Sequence, residues 1–166
     1  IEVVYWLDVI RESIGVDRLK EEIVKSFQDL DVAVHYGCHL LRPSTIVGFD
    51  DPVRPSFLDE LVELTGAKSI DYMDKTMCCG TPTLSTDMKS GLKIALIKLQ
   101  NMLKAGADVL VTACPVCHMM FDANQSWIEN TFNTEIGLPV LHISQLLGLS
   151  MGMGYRELGL DRNAVD

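Results

Sequence analysis

No stretch of the 166-residue sequence approaches the roughly 20 consecutive apolar residues that cross a bilayer, and its first residues lack the basic-then-apolar pattern of an export signal. Direct membrane insertion and export are not expected, and the reading is of a cytoplasmic protein. Basic residues are scarce: 14 Lys and Arg stand against 23 Asp and Glu, for a formal net charge of -9. A surface of that sign repels phosphate backbones and anionic head groups, so nucleic acid is not an expected partner. Low-complexity segments and internal repeats are lacking too. The first residue is Ile1 rather than methionine and falls inside a helix-like pattern, so the sequence reads as a piece of a longer polypeptide.

With 48% hydrophobic residues, the chain can bury the core of one domain. Val3, Val4, Leu7 and Ile10, then Leu19, Ile23, Val24, Phe27 and Leu30, recur at helical spacing with Gly15 and Asp17 between them. This predicts two opening helices over 1–30. The apolar strip Val32-Ala33-Val34 reads as a buried strand ending through His35-Tyr36 at Gly37. Phe57, Leu58, Leu61 and Val62 mark a helix stopping near Gly66, and Lys68 to Tyr72 a second strand. Leu92, Leu96, Leu99 and Leu103, with Ala95 and Met102, form an amphipathic helix closed by Gly106. Asp108 to Thr112 is a strand apolar on both faces. Pro115 suits the first turn of a helix whose inner face would be Met120, Ala123, Trp127 and Ile128. A last strand, Pro139 to Leu141, and a short helix through Leu146 and Leu147 complete a single domain over 1–150. Residues 151–166 read as a loosely packed tail.

Strands alternating with helices imply an α/β fold: a small parallel sheet flanked by helices, Rossmann-like, with ligands bound beyond the carboxyl ends of the strands. Each cysteine follows a strand: Cys38 the first, Cys78 and Cys79 the second, Cys114 and Cys117 the third. Topology alone therefore brings five thiols to one sheet edge. An odd number cannot all pair as disulfides, and nothing else suggests an oxidising compartment. Cys114-Pro115-Val116-Cys117 opens a helix, where free amides and the dipole favour thiolate. Gly80 supplies the backbone freedom a Cys78-Cys79 turn needs. A single zinc wants four ligands in a closed tetrahedron, whereas five thiolates suit a larger iron-sulfur unit.

The motifs His35-Tyr36-Gly37-Cys38-His39, Arg42-Pro43, Cys78-Cys79-Gly80 and Cys114-Pro115-Val116-Cys117, with gaps of 39 and 34 residues between the cysteine groups, resemble the cysteine-rich CCG domain of the heterodisulfide reductase B subunits. The likeness runs from about residue 31 to 150 and is closest to the C-terminal of two tandem domains. It implies a non-cubane [4Fe-4S] cluster held by Cys38, Cys78, Cys79, Cys114 and Cys117, some of them bridging. It also implies electron transfer to a disulfide substrate held between two such clusters, within an oxidoreductase that includes other iron-sulfur or flavin subunits. One pattern alone lacks the second wall of that substrate site, so the isolated domain is expected to be inactive. The same domain type occurs in lactate- and glycolate-oxidising and other respiratory complexes, which leaves an electron-transfer role in another such complex as an alternative.

Other readings compete. Cys114 and Cys117 with Cys38 and one of Cys78 or Cys79 could hold a structural zinc in an interaction domain without chemistry, and aerobic preparation could place zinc where an oxygen-sensitive cluster belongs. Cys114-Pro115-Val116-Cys117-His118 matches the short haem-attachment signature, but that leaves three cysteines idle. A Cys78–Cys79 disulfide or dithiol switch is a further option. His35 reads as a buried, hydrogen-bonded histidine rather than a ligand. His39 and His118, each next to a cysteine, could donate hydrogen bonds to cluster or substrate or lie on the surface, and His142 is a weaker candidate. Arg42 could neutralise a thiolate-rich site or hold an anionic substrate, or be plain surface. Met151 and Met153 could mark a partner surface.

Overall fold

The computed structural model describes residues 4–165. Four short strands, β1 (Asp31–His35), β2 (Lys68–Ile70), β3 (Val109–Thr112) and β4 (Val140–His142), form one parallel sheet in the order β2-β1-β3-β4. The two central strands carry the most continuous apolar runs because both of their faces are covered. Val32 and Val34 face a core with Leu58, Leu61, Val62, Ile143 and Leu146, while Ala33 and Leu110 face one with Leu92, Leu99, Met102 and Met120. Helices Phe57–Leu64 and Ile143–Ser150 thus cover one face, and Met88–Lys104, Pro115–Phe121 and Gln125–Phe132 the other. This is the α/β architecture read from the sequence.

Register decides where the site forms. His35 lies beside Thr112, and Thr112 beside His142, so the carboxyl ends of β1, β3 and β4 are level. The loops leaving them rise from one edge.

Three local expectations are corrected. Val3 lies outside the described residues; the opening segment is a turn of α-helix, Trp6–Asp8, a π-helical stretch, Val9–Ile14, and a helix, Val16–Glu21. That helix ends well before Leu30. The Val24 and Lys25 amides instead donate to the Ser150 carbonyl, a free acceptor at a helix end, and the Phe27 amide to Thr65. Val24 is left exposed. The helix after Pro115 breaks at residues 122–124, which rotates the phase of the helix beyond the break. Ala123 and Trp127 face outward, and Phe121, Gln125 and Ile128 are buried with Met120. Gln125 holds the break by donating to the carbonyls of Phe121 and Leu138 and accepting from the Leu138 amide. Leu103, at the margin of its stripe, is exposed. Residues 151–165 are mostly exposed and are anchored near their end: Asp122 accepts from the Ala164 and Val165 amides, and Asn163 donates to the Val140 carbonyl.

Candidate metal centre

Each cysteine group leaves the sheet by a different local device. β1 runs through Tyr36 to Gly37, whose φ of 79° turns the chain so that Cys38 opens the short helix Cys38–Leu41. A Cβ at Gly37 would stand 3.3 Å from Cys114 Cβ and 3.7 Å from Cys117 Sγ, so this glycine lets the first loop lie against the third. After β2, the chain reaches Cys78-Cys79-Gly80. Gly80, at φ 94°, presses against the start of the long helix, where its added Cβ would meet the Gly91 carbonyl oxygen at 2.3 Å. After β3, Cys114 caps the helix Pro115–Phe121, and Cys117 lies one turn on, buried.

Cys38, Cys79, Cys114 and Cys117 line one cavity of about 350 Å³, walled mainly by Tyr5, Tyr36, Leu40, Val47, Phe49 and Pro82. Cys78 sits beside it, its sulfur accepting from the Gly80 amide at 3.4 Å and interacting with Cys38. All five thiols are free. Four of the five cysteines thus bound one space, with the fifth at its margin.

Electrostatics divide the thiols. Hydrogen bonding from Cys117, the amides of Cys117 and Val116, and the nearby His39 bring Cys114 down to about 5. Cys79 is brought down to about 6 by Cys117 and by Thr81, whose hydroxyl is 3.2 Å from its sulfur. Cys117, whose single thiol proton is shared between the two, is held protonated well above the usual thiol range. Burial raises Cys78. Two thiolates are therefore available near neutral pH without an added base.

The flanking residues are placed as follows. His39 lines the cavity and is exposed. The Arg42 guanidinium donates to the carbonyls of Thr76 and Pro52, joining the loop after Cys38 to the one before Cys78. His118 Nε2 lies 3.9 Å from the buried Asp122 carboxylate, and desolvation lowers its pKa. His142 braces the third loop. Its Nδ1 accepts from the Ser144 amide, leaving the Nε2 proton to the Ala113 carbonyl at 3.0 Å, directly before Cys114. His35 is buried as expected, yet among the described residues neither ring nitrogen has a hydrogen-bond partner, and its ring packs T-shaped with Phe121, centroids 5.1 Å apart.

Two features went unread in the sequence. Asp59 accepts from Tyr36 Oη at 2.5 Å, from Lys75 Nζ at 2.6 Å and from Ser69 Oγ, linking the end of β1, β2 and the loop before Cys78. Lys98, only 2% exposed, lies inside the apolar face of the long helix beneath the cysteines. Its spacing from Gly91, Ala95 and Met102 was a legible signal, a lysine where the stripe calls for leucine.

Comparison with known proteins agrees with this geometry. The cysteine-rich CCG family matches residues 32–122, more than half of the chain. The B subunit of a ferredoxin:CoB-CoM heterodisulfide reductase from Methanosarcina mazei is 44% identical over 99% of this chain and 55% of its own length. The membrane anchor subunit of an 8-methylmenaquinol:fumarate reductase from Wolinella succinogenes is 34% identical over 92% of this chain and 54% of its own. A crystal structure of a hypothetical protein from Helicobacter pylori shares the fold, with a TM-score of 0.70 at 17% identity, covering 90% of this chain and 28% of that one. The chain spans about half the length of the curated relatives it matches. With its five cysteines in the family's order, rising from three adjacent strand ends, the chain belongs to the cysteine-rich CCG family, the family of the heterodisulfide reductase B subunits.

Proposed function

We propose that the chain is the redox domain of a heterodisulfide reductase-type oxidoreductase, with Cys38, Cys78, Cys79, Cys114 and Cys117 as ligands of a non-cubane [4Fe-4S] cluster and a disulfide as electron acceptor. The observation that carries this reading is the convergence of thiols from three strand ends around one cavity of about 350 Å³. The low pKa values of Cys79 and Cys114 suit ligation, since metal binding requires thiolate. When bound, such a cluster supplies electrons one at a time. Cleaving a disulfide takes two electrons and two protons and yields two thiols. His39, exposed at the cavity, is placed to hand a proton to a departing thiolate. The apolar wall of Tyr36, Leu40, Val47 and Phe49 excludes water from the reacting sulfur.

Electrons come from an iron-sulfur or flavin subunit of the same complex, working in the cytoplasm; no described helix is long and apolar enough to cross a membrane. The likeness to a fumarate reductase subunit favours a second reading, an electron-transfer domain in another respiratory complex.

Anaerobic expression followed by iron, zinc and sulfide analysis, with absorption spectra before and after air, tests the proposal on wild type and Cys79→Ser. About four irons with sulfide, a brown colour bleached by air and loss in the variant are expected. One zinc without sulfide under iron-replete conditions would refute it in favour of a structural zinc domain.

A further inference from the structure

Beneath the cysteine cavity, on the side of the sheet covered by the long helix, lies a buried cation. Lys98 projects from the apolar stripe, and its Nζ donates to the Asp74 carbonyl and, at 3.4 Å, to that of Lys75. It lies 5.3 Å from the centre of the Tyr72 ring. Among the described residues it makes no salt bridge with a carboxylate. Burial brings its pKa down to about 8, opposed by the Asp74 carboxylate, itself held by Asn101 Nδ2 at 2.8 Å, and by the nearby sulfurs of Cys79, Cys117 and Cys78.

A charge so placed is costly. A leucine or methionine would fill the stripe between Ala95 and Met102 without desolvating an ammonium group, and cations almost never sit fully buried without a paired anion. His35, the neighbouring titratable group on the same floor, is kept uncharged by burial and by Lys98 itself. The floor therefore carries one positive charge, set against a cavity whose occupant, ligated by several thiolates, is anionic.

We infer that Lys98 is the buried counter-charge of the site: it tethers the loop that presents Cys78 and Cys79 and raises the reduction potential of the cluster those cysteines hold. The inference rests on the iron-sulfur reading above. Lys98 is a positioning residue, since it reaches the cluster through the loop and through space. Adding an electron makes an anionic cluster more negative, and a fixed cation in a low-dielectric floor favours that state. Removing the charge lowers the potential. Removing a tether of the same loop without changing charge does not.

The test is a redox titration of the anaerobically loaded protein, followed by electron paramagnetic resonance, on wild type, Lys98→Gln, Lys98→Arg and Asn101→Leu. Gln keeps a donor for the two carbonyls but no charge; Arg keeps the charge. Lys98→Gln should lower the reduced-to-oxidised ratio at a given applied potential at least tenfold, about 59 mV for a one-electron couple. Lys98→Arg should restore it to within about threefold, and Asn101→Leu should leave it unchanged. An unshifted potential in Lys98→Gln, or an equal shift in Asn101→Leu, overturns the inference while leaving the cluster reading intact. If Lys98→Gln loses its iron, retention in Lys98→Arg supports the role of charge, and loss in both overturns it. Wild type without iron overturns both readings together.

Discussion

Replacing Gly80 with alanine probes how the Cys78-Cys79 turn is held. Gly80 has φ 94° and ψ −15°, a left-handed conformation that costs a residue with a Cβ about 1–2 kcal/mol. The new methyl would also stand 2.3 Å from the Gly91 carbonyl oxygen and 3.2 Å from Ile94 Cβ. The first partner is helix backbone and cannot swing aside, so the turn and helix must separate, an overpacking cost of about 1–3 kcal/mol. The sum, roughly 2–5 kcal/mol, is a large part of a typical domain's stability. Gly106 serves as the control: it has φ 88°, but a Cβ there meets nothing within 4 Å, so Gly106→Ala should show only the backbone cost of about 1–2 kcal/mol. Urea unfolding of the metal-free proteins gives both numbers. Thermal midpoints should fall by roughly 5–15 °C for Gly80→Ala. Gly80→Ala within about 0.5 kcal/mol of Gly106→Ala would refute the reasoning, because the close approach to Gly91 would then carry no cost.

Asp59→Asn removes the charge shared by Tyr36, Ser69 and Lys75, and leaves a largely buried lysine without its anion. A loss of about 2–3 kcal/mol is expected in denaturant unfolding, and a loss under about 0.5 kcal/mol would sink the idea that this network braces the loops around the site. In the metal-free protein, Cys114 should be alkylated first at pH 6, with a rate profile half-maximal near pH 5; a profile centred above 8 would contradict the hydrogen bonding assigned to it. The depressed Cys79 and Cys114 also set a sign for stability. The folded chain binds fewer protons than the unfolded one between about 5 and the ordinary thiol value of 9.0, so stability should rise with pH across that window. Above 9 the protonated Cys117 opposes this rise while Lys98, brought down to about 8 by burial, sustains it, so the curve should level off, and urea midpoints from pH 5 to 10 would show the plateau.

Much of this site was legible in the sequence because its signals are local. Val32-Ala33-Val34 and Val109-Leu110-Val111 read as strands from runs of apolar residues, and a cysteine just past each needs only a parallel sheet to reach the same edge. Where the reading failed, a distant partner overrode the local pattern. The spacing of Leu19 to Leu30 is helical, but the Ser150 carbonyl captures the Val24 and Lys25 amides. Met120 to Ile128 has the period of one helix, but Asp122 and Gln125 spend their side chains on the tail and on Leu138 and break it.

By itself, then, the sequence determined the class of fold, the order of the four strands and the place of each cysteine group in a loop after a strand, since periodicity and chain order specify these without knowledge of contacts. Tertiary structure alone decided the levelling of His35, Thr112 and His142, and the cavity bounded by Cys38, Cys79, Cys114 and Cys117. It also decided the thiol hydrogen bonds that make Cys79 and Cys114 acidic, and the place of Lys98 beneath them. These depend on which groups face each other across the sheet, and such pairings exist only once the layers have packed.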